Sequence, residues 1–128
     1  MIYPTKRVSD VIELRELRCN AVVGVFDEER VHAQPLALDI DIVRPFAEAV
    51  ANDNLHATTN YATVLTLATR IAVEGGFVLL ETLASRVAQE ILALDSAITS
   101  VTVAVRKLHP PVLEDVATVG VRCTVLRS

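Results

Sequence analysis

The chain has 128 residues, no tryptophan, and aromatic residues at only 4%. Base-stacking platforms and aromatic cages need more rings than that, which argues against ligands held by stacking. Positive charge is also scarce: twelve Lys and Arg stand against sixteen Asp and Glu, for a formal charge of −4. No basic stretch exceeds Lys6-Arg7, so no nucleic-acid partner is expected, because a phosphate backbone needs a basic face. Long apolar runs are missing as well. Each is broken by charge well before the roughly 18 residues of a membrane span, so no membrane partner is expected. Met1 to Asp10 lacks the apolar core of a secretory signal, and a cytoplasmic location is the expectation. Cys19 and Cys123, the two cysteines, fit no redox or metal spacing and read as reduced, half-buried thiols.

What is present is a core. Hydrophobic residues make up 52%, enough for one globular domain over residues 1–128 with residues 1–10 as an N-terminal tail. Val11 to Arg18 alternates imperfectly, with charge on one side, as a strand with one wet face. Gly24 opens a polar loop, Phe26-Asp27-Glu28-Glu29-Arg30, reaching about Gln34. Leu36, Leu38, Ile40 and Ile42 alternate with Ala37, Asp39 and Asp41, the clearest half-buried strand of the chain. Pro45 begins a short helical stretch to about Val50. Asn60 is an N-cap candidate for a helix with Val64, Leu65, Ala68, Ile71 and Ala72 on one face, ended by Gly75-Gly76. A second helix, about Leu79 to Leu94, turns Leu80, Leu83, Ala84, Val87, Ala88 and Ile91 inward. Two further strands follow, Ile98 to Lys107 and Val116 to Leu126, the latter with Val119, Val121, Cys123 and Val125 on one side.

The order is β-β-α-α-β-β, an α+β domain with two helices on one face of a four-stranded antiparallel sheet. Its other face carries Ala37, Ala104, Ala117, Gly120 and Thr124 between charges. Four strands cannot close a barrel alone, and their edges stay open. Several copies joining sheets edge to edge would resolve both problems, so a homo-oligomer is expected.

One residue breaks the pattern. Val101, Val103 and Val105 share a strand face, and Lys107 falls on that same face. Leu108-His109-Pro110-Pro111 then stops the ladder beside it. An ammonium at the rim of a buried face is costly unless it is paired, used, or lifted to water on its own stem. Three other residues invite attention. Glu81 follows Val78-Leu79-Leu80 at a helix start, where an acid serves the helix dipole or anchors a ligand with adjacent N–H donors. Tyr61 places a phenol after Thr58-Thr59-Asn60, to pack or to move a proton. Glu29 sits in an acidic run of the kind that is ordinarily solvated. His32, His56 and His109 are isolated, with no His-x-His pair, so no metal site is expected.

Gly24-Val25-Phe26-Asp27-Glu28-Glu29, Thr59-Asn60-Tyr61, Leu79-Leu80-Glu81 and Lys107-Leu108-His109-Pro110-Pro111, in this order and spacing, resemble the motifs of bacterial dihydroneopterin aldolases. The resemblance spans about Val11 to Leu126. It implies a tunnelling fold assembled as a tetramer or octamer, with sites between subunits. The implied reaction is retro-aldol cleavage of dihydroneopterin to hydroxymethyl-dihydropterin and glycolaldehyde, in tetrahydrofolate biosynthesis. No cofactor is implied, neither metal nor Schiff base, because the conjugated pterin ring can accept the electrons itself. Glu81 would hold the pterin, with Leu80 and Thr59 helping through their backbone. Lys107 would act as base, Tyr61 would return a proton to carbon, and Glu29 would meet the hydroxylated tail.

Two departures bear on this reading. Val23 precedes Gly24 where many relatives carry histidine, and both Leu108-His109 after the lysine and Asn60 before the tyrosine resemble dihydroneopterin triphosphate epimerases. Pro110-Pro111 favours the aldolase. Arg30, Arg44 and Arg106 are the arginines that could form a basic rim for a triphosphate. A catalytically silent, ring-forming pterin-binding protein is the alternative from another class.

Overall fold

The computed structural model describes Pro4, Lys6 and residues 8–128. The expected tail, residues 1–10, therefore lies partly outside the described residues. Four strands form one antiparallel sheet in the order β1 (Val11–Ala21), β2 (Gln34–Val43), β3 (Ser100–Lys107), β4 (Val119–Leu126). The helices α3 (Tyr61–Gly75) and α4 (Leu80–Leu92) connect the middle strands. Leu36, Leu38, Ile40 and Ile42 of β2 and Val101, Val103 and Val105 of β3 are fully buried. Against them lie Leu80, Leu83, Ala84, Val87, Ala88 and Ile91 of α4. Each larger aliphatic side chain buried in this way contributes roughly 1.5–3 kcal/mol.

The imperfect alternation of β1 has a cause. Its register against β2 shifts between Leu14 and Leu17, and Glu16 adopts a φ of +54°. This bulge inserts one residue, so Ile12, Leu14, Leu17 and Cys19 all pack against the core despite the broken parity. The Glu16 N–H donates to Asp39 Oδ1 at 2.8 Å. Asp39 also accepts from Arg106 at 2.9 Å, and Arg106 reaches Glu16 at 3.1 Å. The face away from the helices is therefore laced with ion pairs.

Helix ends follow local chemistry. Asn60 caps α3 by accepting from the Ala62 N–H at 2.9 Å, and Gly76 closes it at φ +57°. The inward face of α3 is Val64, Leu67, Ala68, Ile71 and Ala72. Leu67 thus takes the place expected for Leu65, which is half-buried.

Four boundaries differ from the sequence expectation. The expected polar loop after Gly24 contains a helix, α1 (Asp27–Val31). Three acids in its first turn complement the N-terminal dipole, and the Glu29 side chain accepts from the Phe26 N–H at 3.3 Å. The helix expected from Pro45 is α2 (Ala47–Asn52), begun after the Phe46 N–H has bonded to Asp10 Oδ2 at 3.0 Å. A 3-10 turn, Leu55–Ala57, follows it. Finally, β4 starts at Val119, so Ala117 belongs to the preceding loop. Among the described residues, no helix is long and apolar enough to cross a membrane.

Candidate active site

Parity along β3 does place Lys107 beside the valine face, opposite Leu36 of β2. Two strand positions before Leu36, on the same face, stands Gln34. The ammonium does not snorkel to solvent. Lys107 Nζ lies 2.6 Å from Glu29 Oε2, with side chains only 14% and 6% exposed. Gln34 Nε2 donates to the same carboxylate oxygen at 2.9 Å and to the Val23 carbonyl at 2.8 Å. Burial alone would push the Glu29 carboxyl up. Bonds from Lys107, Gln34 and the Phe26 N–H outweigh it and hold Glu29 below the usual carboxylate range.

Glu29 fits because Gly24 has no side chain. Gly24 adopts a φ of +139°, and a β-carbon there would meet the Glu29 carboxyl carbon at 2.2 Å. The acidic run is therefore not a solvated loop: Asp27 and Glu28 are exposed, but Glu29 turns in. Val23 is buried and offers its carbonyl rather than a side chain. A cleft of about 500 Å³ opens here, lined by Phe26, Glu29, His32, Gln34, His109 and Pro111 among others.

Leu80 and Glu81 follow a turn that is hydrogen-bonded to Gly24. The Gly24 N–H donates to the Phe77 carbonyl at 3.2 Å, which ties the Glu29 cradle to the turn just before α4. Leu80 is buried while Glu81 is exposed at the start of α4. Among the described residues, Glu81 has no hydrogen-bonding or ionic partner.

Thr59 and Tyr61 sit elsewhere. Thr59 Oγ1 accepts from Arg44 Nη1 at 3.1 Å, and Arg44 Nη2 donates to the Ala57 carbonyl at 2.9 Å. Arg44 is buried and paired with Asp95. The Ala97 N–H, against the effect of burial and joined by Arg44 and Thr59, keeps Asp95 below the ordinary carboxylate range. This cluster follows the end of β2 at Val43, whereas Lys107 pairs near its start at Leu36. Seven strand steps separate the two, about 24 Å. Helix α3 gives a second ruler: its 15 residues run from Tyr61 to Gly75, about 22 Å, and end at the turn that α1 touches. Tyr61, largely exposed, and Lys107 thus stand at opposite ends of the domain.

Sequence reasoning missed Gln34 and Asp95 altogether, and it named Arg30 and Arg44 only as a possible rim for a triphosphate, missing their structural roles. For Gln34 the signal was available, since it is a polar residue in phase with Leu36 and Leu38, the same anomaly that marks Lys107. The other three form contacts across 13 to 51 positions of chain, which no local pattern announces.

A four-stranded antiparallel meander backed by two helices, with a carboxylate–amine pair at a strand end, is the tunnelling-fold class of domain. Within that class, a family model described as dihydroneopterin aldolase (FolB) matches residues 12–124. A dihydroneopterin aldolase of Streptomyces coelicolor is 35% identical over 120 residues, covering 93% of this chain and 98% of its own. A dihydroneopterin triphosphate 2'-epimerase of Pseudomonas aeruginosa is 32% identical over 83 residues, covering 65% of this chain and 64% of its own. Among solved structures, Escherichia coli dihydroneopterin aldolase in complex with neopterin superposes with a TM-score of 0.82 at 25% identity, covering 91% of this chain and 98% of that one. The chain belongs to the dihydroneopterin aldolase family.

Proposed function

We propose that this chain cleaves dihydroneopterin to hydroxymethyl-dihydropterin and glycolaldehyde, using proton transfer alone and needing neither metal nor Schiff base. The observation that carries this reading is the buried Glu29–Lys107 pair, held beside the turn that leads into Leu80 and Glu81. Glu29 remains a carboxylate at neutral pH and occupies one of the three positions around Lys107 Nζ. The other positions face the substrate, directly or through a water.

The step balances without help. As the neutral amine, Lys107 keeps one N–H on Glu29 and with its lone pair takes the proton of the side-chain hydroxyl next to the scissile bond, and that oxygen becomes the aldehyde of glycolaldehyde. The bonding pair passes into the dihydropterin ring, a proton returned at carbon from Tyr61 completes hydroxymethyl-dihydropterin, and the proton taken up by Lys107 passes through solvent to restore the phenol. Glu81, free of partners among the described residues, accepts the ring N–H and amino group bidentately. Thr59 and Tyr61 come from a neighbouring copy, since one protomer keeps them far from Lys107. That need for a second copy supports the homo-oligomer, with tetramer or octamer as the assembly.

The arginines favour the aldolase over the triphosphate epimerase. Arg44 is buried against Asp95, Arg106 is paired with Asp39 and Glu16, and Arg30 is spent on backbone carbonyls. None is left to meet a phosphate, and the exposed acids Asp27 and Glu28 border the same cleft. Product analysis with dihydroneopterin and its triphosphate side by side tests the proposal. Glycolaldehyde release from the unphosphorylated substrate is expected, and its loss in Lys107→Ala with neopterin affinity kept within a few-fold. Absence of glycolaldehyde from the wild-type protein refutes the aldolase reading.

A further inference from the structure

We infer that Arg30 is a positioning residue that locks the proton-handling pair to the pterin anchor; this rests on the aldolase reading above. Arg30 Nη1 donates to the Gly24 carbonyl at 3.2 Å and to the Phe77 carbonyl at 3.0 Å, and Nη2 donates to the Gly76 carbonyl at 2.8 Å. One guanidinium therefore joins two stretches of chain more than 40 residues apart. Each stretch belongs to a different half of the site. Gly24 is the floor on which the Glu29 carboxyl rests. Gly76 and Phe77 form the turn from which Leu80 and Glu81 start.

The side chain does this despite being solvent-exposed on a five-residue helix. Such a helix is too short to stand on its own hydrogen bonds, so its placement depends on what its side chains grip. Adjacent helical positions point about 100° apart, and α1 uses both directions. Glu29 reaches Lys107 and Gln34 on one side, and Arg30 reaches the α3–α4 turn on the other. The Phe77 carbonyl also accepts the Gly24 N–H, so losing Arg30 leaves one backbone bond where three bonds had tied the two segments. A planar fork with several fixed donors suits this task, and a single ammonium cannot reproduce its geometry.

The test uses the full chain in its native assembly, with Arg30→Ala and Arg30→Lys compared against wild type. The readouts are kcat and KM for dihydroneopterin, the dissociation constant of neopterin, and the pH profile of kcat. Displacement of about 1 Å at a reacting group can cost on the order of a hundred-fold. Arg30→Ala is expected to lower kcat/KM by roughly ten- to a hundred-fold. The loss divides between a lower kcat with a displaced pH profile, as Glu29 and Lys107 separate, and weaker neopterin binding, as Glu81 drifts. Arg30→Lys should recover less than half of the loss, whereas millimolar guanidinium added to Arg30→Ala should restore part of kcat.

A lowered unfolding temperature with kcat, pH profile and neopterin affinity at wild-type values would make Arg30 a fold residue only and overturn the inference. Full activity in Arg30→Lys would overturn it too. If wild-type protein binds neopterin but releases no glycolaldehyde, the aldolase reading falls and this role for Arg30 falls with it. Activity in wild type and in Arg30→Ala alike sinks the inference alone.

Discussion

Replacing Gly24 by alanine should cost this protein the Glu29–Lys107 pair before it costs the fold. The added β-carbon would lie 2.2 Å from the Glu29 carboxyl carbon and 2.3 Å and 2.5 Å from its oxygens. An ordinary contact begins near 3.4 Å, so the carboxyl must retreat by about 1.2 Å. Its target, Lys107 Nζ, is 2.6 Å away. A displacement of that size along the contact would open it to about 3.8 Å, outside hydrogen-bonding range, and one across it would spoil its alignment. The far end of a glutamate moves easily, so the clash itself is cheap to relieve. What is lost is the alignment of carboxylate and amine. The φ of +139° adds backbone strain of about 1–3 kcal/mol for any residue with a β-carbon.

Gly24→Ala is therefore expected to fold with a lowered unfolding temperature and to lose on the order of a hundred-fold in kcat. The double variant with Glu29→Ala separates the two effects. Once the carboxylate is absent, adding Gly24→Ala should cost no further kcat, leaving only the strain in stability. Glycolaldehyde release and thermal unfolding are the assays. Gly24→Ala at wild-type kcat, or full additivity of the two substitutions in kcat, would refute the reasoning.

Three further predictions follow from the same geometry. Co-expressed Lys107→Ala and Tyr61→Phe chains, each inactive alone, should regain about a quarter of wild-type activity if random ring assembly pairs an intact lysine with a neighbour's intact tyrosine; no recovery would place both groups in one chain. Glu81→Ala should weaken neopterin binding by at least ten-fold in a fluorescence titration while leaving thermal stability within about 0.5 kcal/mol, as for an exposed side chain with no partner among the described residues. The Glu29 carboxyl is held below its ordinary range, so its stabilising contribution is complete above about pH 4.3 and vanishes as pH falls through its lowered folded value. Denaturant unfolding of wild type and Glu29→Gln should accordingly differ at pH 6 and converge towards pH 3; a gap that widens on acidification would reverse the assigned direction.

Much of this protein was written locally. A period of two along Leu36–Ile42 and Val101–Val105 marked the buried sheet face. The spacing of three and four in α4 matched its buried residues one for one, and Asn60 and Gly76 bounded α3 as capping rules require. The anomaly at Lys107 was equally local, because parity alone assigns a strand residue to a face. These features depend on backbone geometry repeated every few residues, and each is legible without knowing the fold.

The fate of Glu29 depended on the tertiary structure. Nothing in Asp27-Glu28-Glu29-Arg30 distinguishes the third acid from its neighbours until β2 and β3 align and bring Lys107, 78 residues away, beneath it. The same holds for Arg30 and Arg44, which by sequence could form a basic rim for a phosphate and prove committed to carbonyls and a carboxylate. The separation of Tyr61 from Lys107 is likewise set by how far β2 and α3 run across the domain. Pairing between distant residues requires register and packing, and these are settled only when the whole sheet closes over its helices.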